Sequence, residues 1–127
     1  MFANTKATNG FAVDDIEAAK KFYSETLGLG FEVMSEEVGV ATIQLAGGRN
    51  TLVYAKPDFV PATYTILNFE VDDVDAAVDE LASKGVELER YEGFEQDEKG
   101  IMRGPGPSIA WFKDPAGNIL SVLQQPA

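Results

Sequence analysis

Trp111, Tyr54, Tyr64 and Asn68 are the side chains whose types and positions could do chemistry here. That chemistry is stacking and neutral hydrogen bonding. Trp111 is the only tryptophan, and it alternates with Phe112 in a strand-like run. With Phe112 packed beneath a helix, the indole turns to the opposite face, where a flat ring stacks a planar ligand. Tyr54 and Tyr64 also fall in strand-like runs, where a buried phenol takes one hydrogen-bond partner. Asparagine is depleted in strands, so Asn68, alternating with Tyr64 and Ile66, reads as a polar anchor among apolar neighbours. Thr8, Gln44 and Ser121 are neutral polar groups able to orient a ligand. Each of these positions also has a plainer use as a core, rim or solvated strand residue.

Stronger chemistry is missing. The 127 residues contain no histidine and no cysteine. That removes the commonest nitrogen and sulfur ligands for zinc, copper and non-haem iron. It also removes the thiolate nucleophile and the side chain that trades protons most readily near neutral pH. The segment 97–107 has the glycines of an anion loop, but its prolines lack backbone donors and no helix follows it. It reads either as a mobile connection or as a lid, with Ile101 and Met102 sealing a cleft and Arg103 pairing with a ligand carboxylate. The aspartate pairs 14–15 and 72–73 suggest acid–base work, but helix capping accounts for them more simply. No catalytic residue, metal ligand or cofactor is assigned.

The elements that must position these residues follow from periodicity. A strand over 7–13 leads through the first aspartate pair to a helix over 16–27, whose residues Ile16, Ala19, Phe22, Tyr23 and Leu27 share one face. Strands over 31–36, 40–46 and 51–55 follow, with a hairpin signal at Gly47-Gly48-Arg49-Asn50. After the prolines at 57 and 61 the order returns: a strand over 63–71, a helix from Val74 ending before Gly85, and a strand over 86–91. A polar loop then runs to Pro107, and strands over 109–113 and 118–124 flank the type I turn signal Asp114-Pro115-Ala116-Gly117.

The halves are related in sequence. Residues 11–19 read FAVDDIEAA and residues 69–77 read FEVDDVDAA, with six of nine positions identical. A repeat of about half the chain implies two similar units, not a solenoid. Apolar residues make up 45% of the chain, enough for a core. No apolar run reaches the ~18 residues of a membrane span. The first residues lack the layout of a secretion signal, so cytoplasmic residence is expected. A net charge of −11 disfavours nucleic acid and anionic membrane as partners.

Three segments carry a resemblance to a known family: 11–23 with Leu27-Gly28-Leu29, 69–77 with Gly85-Val86, and Phe112-Lys-Asp-Pro-Ala-Gly-Asn-Ile-Leu. Together they resemble the vicinal oxygen chelate superfamily, the glyoxalase, bleomycin-resistance and extradiol dioxygenase group. The resemblance implies an α+β fold in which two tandem βαβββ modules, 7–56 and 63–125, form one domain with a curved mixed sheet around a cleft, often in a homodimer. Members bind metals through His, Gln or Glu on equivalent strands. The matching positions here are Thr8, Ile66, Ser121 and Leu52, or Tyr54 with a register slip of two, and none is a carboxylate, imidazole or thiolate.

The resulting expectation is metal-free binding or sequestration of a small, mostly apolar organic molecule, as in the bleomycin-resistance branch. The site would draw on Thr8, Gln44, Tyr54, Tyr64, Ile66, Asn68, Met102, Arg103, Trp111 and Ser121. Two alternatives stay open. One is a lyase or isomerase with an atypical metal site or a carboxylate or tyrosine base. The other is a protein-interaction module with a vestigial cleft.

Overall fold

Strand β1 (Asn9–Val13) stops at the first aspartate pair, and Asp15 accepts hydrogen bonds from the Glu17 and Ala18 amides at 2.9 and 3.2 Å. This N-cap starts α1 (Ile16–Lys20), which continues as a π-helical segment, Lys21–Thr26. The continuous α-helix expected over 16–27 is therefore corrected. Ser24 Oγ donates to the Lys20 carbonyl at 2.5 Å, and the Leu27 amide reaches back five residues to Phe22 at 3.0 Å. A serine hydroxyl competing for a helical carbonyl loosens the turn in this way. The widened turn sits beside a fully buried Tyr23, whose ring lies 5.8 Å from Phe11 and 5.3 Å from Phe22.

The computed structural model describes residues 1–126 and divides them between two units, Met1–Val60 and a second that begins at Pro61. In the first unit β2 (Gly30–Ser35), β3 (Val40–Leu45) and β4 (Arg49–Ala55) complete a sheet of order β1-β4-β3-β2. The expected hairpin shifts: residues 46–48 make the turn, and Arg49 and Asn50 already pair with Leu45 and Gln44. Strand alternation sorts the residues. Val13, Ala41, Ile43 and Val53 are buried with Ile16 and Ala19 of the helix, while Met34, Leu52 and Tyr54 are exposed.

In the second unit β5 (Thr65–Glu70), β6 (Ser108–Lys113) and β7 (Ile119–Gln124) form a sheet of order β5-β7-β6. Helix α2 (Val74–Ser83) is capped by Asp73, which accepts from the Ala76 amide at 3.1 Å. Val86 N donates to Leu81 O and Gly85 N to Ala82 O, both at 3.0 Å. That pair of bonds needs a left-handed residue after the cap, and Gly85 supplies it at φ 83°. α2 packs on β6 and β7. Val74, Val78, Ala110, Phe112, Leu120 and Val122 form the buried core.

The fold is α+β, but the strand expected over 86–91 is corrected to a single bridge between Leu88 and Phe112. Gln96 is the physical reason. Its Oε1 accepts from the Tyr91 amide at 2.9 Å, and its Nε2 donates to the Glu89 and Gly100 carbonyls at 2.9 and 2.8 Å. One side chain thus takes backbone groups that a longer ladder would have used. No described helix is long and apolar enough to cross a membrane.

Candidate functional site

A bulge in β5 decides which side chains meet. Thr65 pairs with Ile119, but Leu67 already pairs with Leu120, so Ile66 is the extra residue. An inserted residue reverses the facing of what precedes it. The expected alternation of Tyr64, Ile66 and Asn68 on one side is therefore corrected: Thr65 joins Asn68 on the face opposite the buried Leu67. On that face Asn68, Ser121 and Trp111 form one rung across three strands. Ser121 is fully buried, and its Oγ donates to Asn68 Oδ1 at 2.5 Å.

Beside this rung lies a pocket of about 380 Å³ lined mainly by Tyr64, Thr65, Tyr91, Phe94, Trp111 and Ile119. Phe112 is buried, as the alternation requires, and Trp111 is half-buried on the opposite side of β6. Tyr91 meets Trp111 edge-on at 5.6 Å, and Phe94 lies against Trp111 at 5.4 Å and 35°. Phe94 sits at the end of the turn Tyr91–Phe94, whose third residue, Gly93, has φ 87°. Such a turn wants glycine at that place. The lining carries no charged side chain.

Tyr91 carries the anomaly of the site. Its Oη is buried, and no hydrogen-bond partner for it exists among the described residues. Leaving a buried hydroxyl unpaired costs about 1–3 kcal/mol. Burial first, and the charge of nearby Glu89 second, push the phenol above its ordinary range. It remains a neutral donor at physiological pH.

The ten expected site residues divide between the units. Thr8, Gln44 and Tyr54 belong to the first. Thr8 is exposed ahead of β1, and Gln44 lies across Gly30, where an added Cβ would come within 2.6 Å of its Oε1. Tyr54 is 38% exposed and shares a sheet face with Gln44 four rungs away. In the second unit the pocket brings together Tyr64 and Trp111, with Asn68 and Ser121 on the same rung as Trp111.

Ile66, Met102 and Arg103 lie outside that lining. Met102 exchanges backbone bonds with Ile109, and Ile101 is fully buried in place of sealing a cleft. Arg103 is held by Asp75 at 2.8 Å and Asp97 at 3.2 Å, partners that keep it more firmly protonated. The segment expected to be mobile or lid-like is thus tied to α2 by ion pairs. Tyr91 and Phe94 were missed: Tyr91 ended an expected strand, and Phe94 fell in the polar loop, where no periodicity marks a face. Their aromatic type, three apart beside a glycine, was the one available signal.

A family model, the Glyoxalase/Bleomycin resistance protein/Dioxygenase superfamily, matches residues 7–122. The chain belongs to that superfamily. No curated protein matches it in sequence. Among solved structures it is similar to TnmS3, an antibiotic binding protein from Streptomyces sp. CB03234, with 25% identity, TM-score 0.71, and 97% and 98% of the two chains covered. It is also similar to lactoylglutathione lyase from Agrobacterium tumefaciens, with 19% identity, TM-score 0.70, and 96% and 95% covered. A third likeness is the fosfomycin resistance protein FosX from Listeria monocytogenes, with 14% identity, TM-score 0.72, and 97% and 92% covered. A binding protein and a lyase share the fold, so the fold alone does not choose between them.

The metal centre implied by the family does not fit these residues. Of the positions concerned, Thr8 precedes the strand, Ile66 and Leu52 offer no donor, and Ser121 is bonded to Asn68. Tyr54, the remaining position, would supply one neutral phenol. A divalent cation takes several charged or strongly donating ligands in exchange for its water. Among the described residues no three Asp or Glu side chains cluster as a cation would need.

Proposed function

We infer that this protein binds or sequesters a small, flat, mostly apolar organic molecule without a metal, in the aromatic pocket of the second unit. The observation that carries this reading is a pocket lined by Tyr64, Tyr91, Phe94 and Trp111 with no charged side chain. A planar ring laid against the indole gains about 0.5–1.5 kcal/mol beyond its area burial. The pocket volume falls within the ~300–1,000 Å³ usual for small-molecule sites. The likeness to an antibiotic binding protein supports binding of a small organic molecule. A tyrosine general base would need a phenol that ionises readily, and Tyr91 is shifted the other way. The working unit is taken to be a cytoplasmic homodimer, which light scattering after size exclusion checks.

A panel of planar aromatic compounds, applied after chelator treatment, tests the reading by thermal melting. A ligand at a hundredfold excess over its dissociation constant stabilises by about 2.7 kcal/mol. A panel that leaves the melt unmoved, while an added divalent ion restores ligand binding, would sink it.

A further inference from the structure

The first unit carries a depression of about 520 Å³ between the segment ahead of β1 and the start of β4. Lys6, Thr8, Asn9, Gly48, Arg49 and Asn50 line it. The chain has 21 acidic residues against 10 basic ones, yet two cations and no carboxylate meet here. Cations elsewhere are engaged. Lys56, Lys99, Arg103 and Lys113 pair with carboxylates, and Arg90 donates to the Glu98 carbonyl. Lys20 and Lys21 share their surface depression with Asp15, Glu17 and Glu25. Among the described residues neither Lys6 nor Arg49 forms an ion pair.

One neutral donor of the lining is held in place. Thr51 is fully buried, and its Oγ1 donates to Asn9 Oδ1 at 3.0 Å. The bond occupies the acceptor of the Asn9 amide and leaves Nδ2, a donor, as its remaining polar group. Gly48 meets nothing within 4 Å of where a side chain would start, so this wall is open. The cations and the oriented amide thus suit negative charge: a guanidinium fork, an ammonium and the Asn9 Nδ2 donor.

We propose that this pocket binds a small organic oxyanion, a carboxylate or a phosphate monoester, between Lys6 and Arg49. The site uses no residue of the aromatic pocket. Its test is an amide-resolved NMR titration of the 15N-labelled full chain with sodium acetate, phenyl phosphate and, at matched ionic strength, sodium chloride. Saturable shifts confined to residues 6–9 and 48–50 are expected with acetate or phenyl phosphate and not with chloride. The tighter of the two assigns the source of the anion. The K6Q/R49Q double variant is expected to weaken that binding at least tenfold, and R49E alone to abolish it. Both side chains are exposed, and the spectra report directly whether the variants fold. Unsaturating shifts equal to those with chloride, or wild-type affinity in R49E, would overturn the proposal.

Discussion

At the scale of single residues, Tyr91 and Trp111 separate stability from recognition. The Tyr91 hydroxyl is buried without a partner among the described residues, so removing it relieves a cost in the free protein. Tyr91→Phe is therefore expected to raise unfolding stability by about 1 kcal/mol in urea melts, while planar aromatic ligands still bind. Trp111→Ala removes the stacking surface and is expected to weaken the same ligands at least tenfold, with circular dichroism confirming an intact fold. No group lining the pocket titrates near neutrality, so affinity is expected to be flat from about pH 6 to 9. It falls only as the phenol ionises above its ordinary pKa of 10.0, a range to which burial and Glu89 have moved it. A bell-shaped profile centred near pH 7 in a binding titration would contradict that assignment.

Elements explain what positions those residues. The N-caps Asp15 and Asp73 and the stop at Gly85 were legible because caps and stops are local, set by side chains within a turn of the backbone they satisfy. The missing strand over 86–91 was not legible. Its residues alternate acceptably, but the ladder is pre-empted by Gln96, five residues beyond the segment. Gln96→Ala leaves three backbone groups without that partner, and a loss of about 2 kcal/mol is expected, with faster amide exchange at Tyr91. Asp97 anchors the same loop. Burial would raise its pKa, but the Ile101 and Lys99 amides and Arg103 outweigh burial and hold it below the ordinary value. A depressed carboxylate stabilises above its unfolded pKa and loses that contribution as pH falls through its folded one. Stability is therefore expected to decline below about pH 3.8, and Asp97→Asn to flatten that acid limb.

For the whole molecule, the repeated FAVDDIEAA and FEVDDVDAA segments made the α+β architecture readable, because each couples a strand end to a helix cap. The pocket was only half readable. Trp111 follows from alternation with Phe112, but the bulge at Ile66 and the loop rings Tyr91 and Phe94 depend on pairing register and turn geometry. The positions where the family resemblance implies cation ligands carry Thr8, Ile66, Ser121 and Leu52 or Tyr54 here, and stacking on Trp111 is the recognition proposed in place of coordination. Trp111 is the sole tryptophan, so its fluorescence reports on the proposed site without interference. The decisive measurement is a titration of that emission with planar aromatic compounds in the presence of excess chelator. Saturable quenching with one-to-one stoichiometry, unchanged by chelator, is the outcome expected. Binding that leaves Trp111 emission unaltered, or that appears only when a divalent metal is restored, would contradict the account.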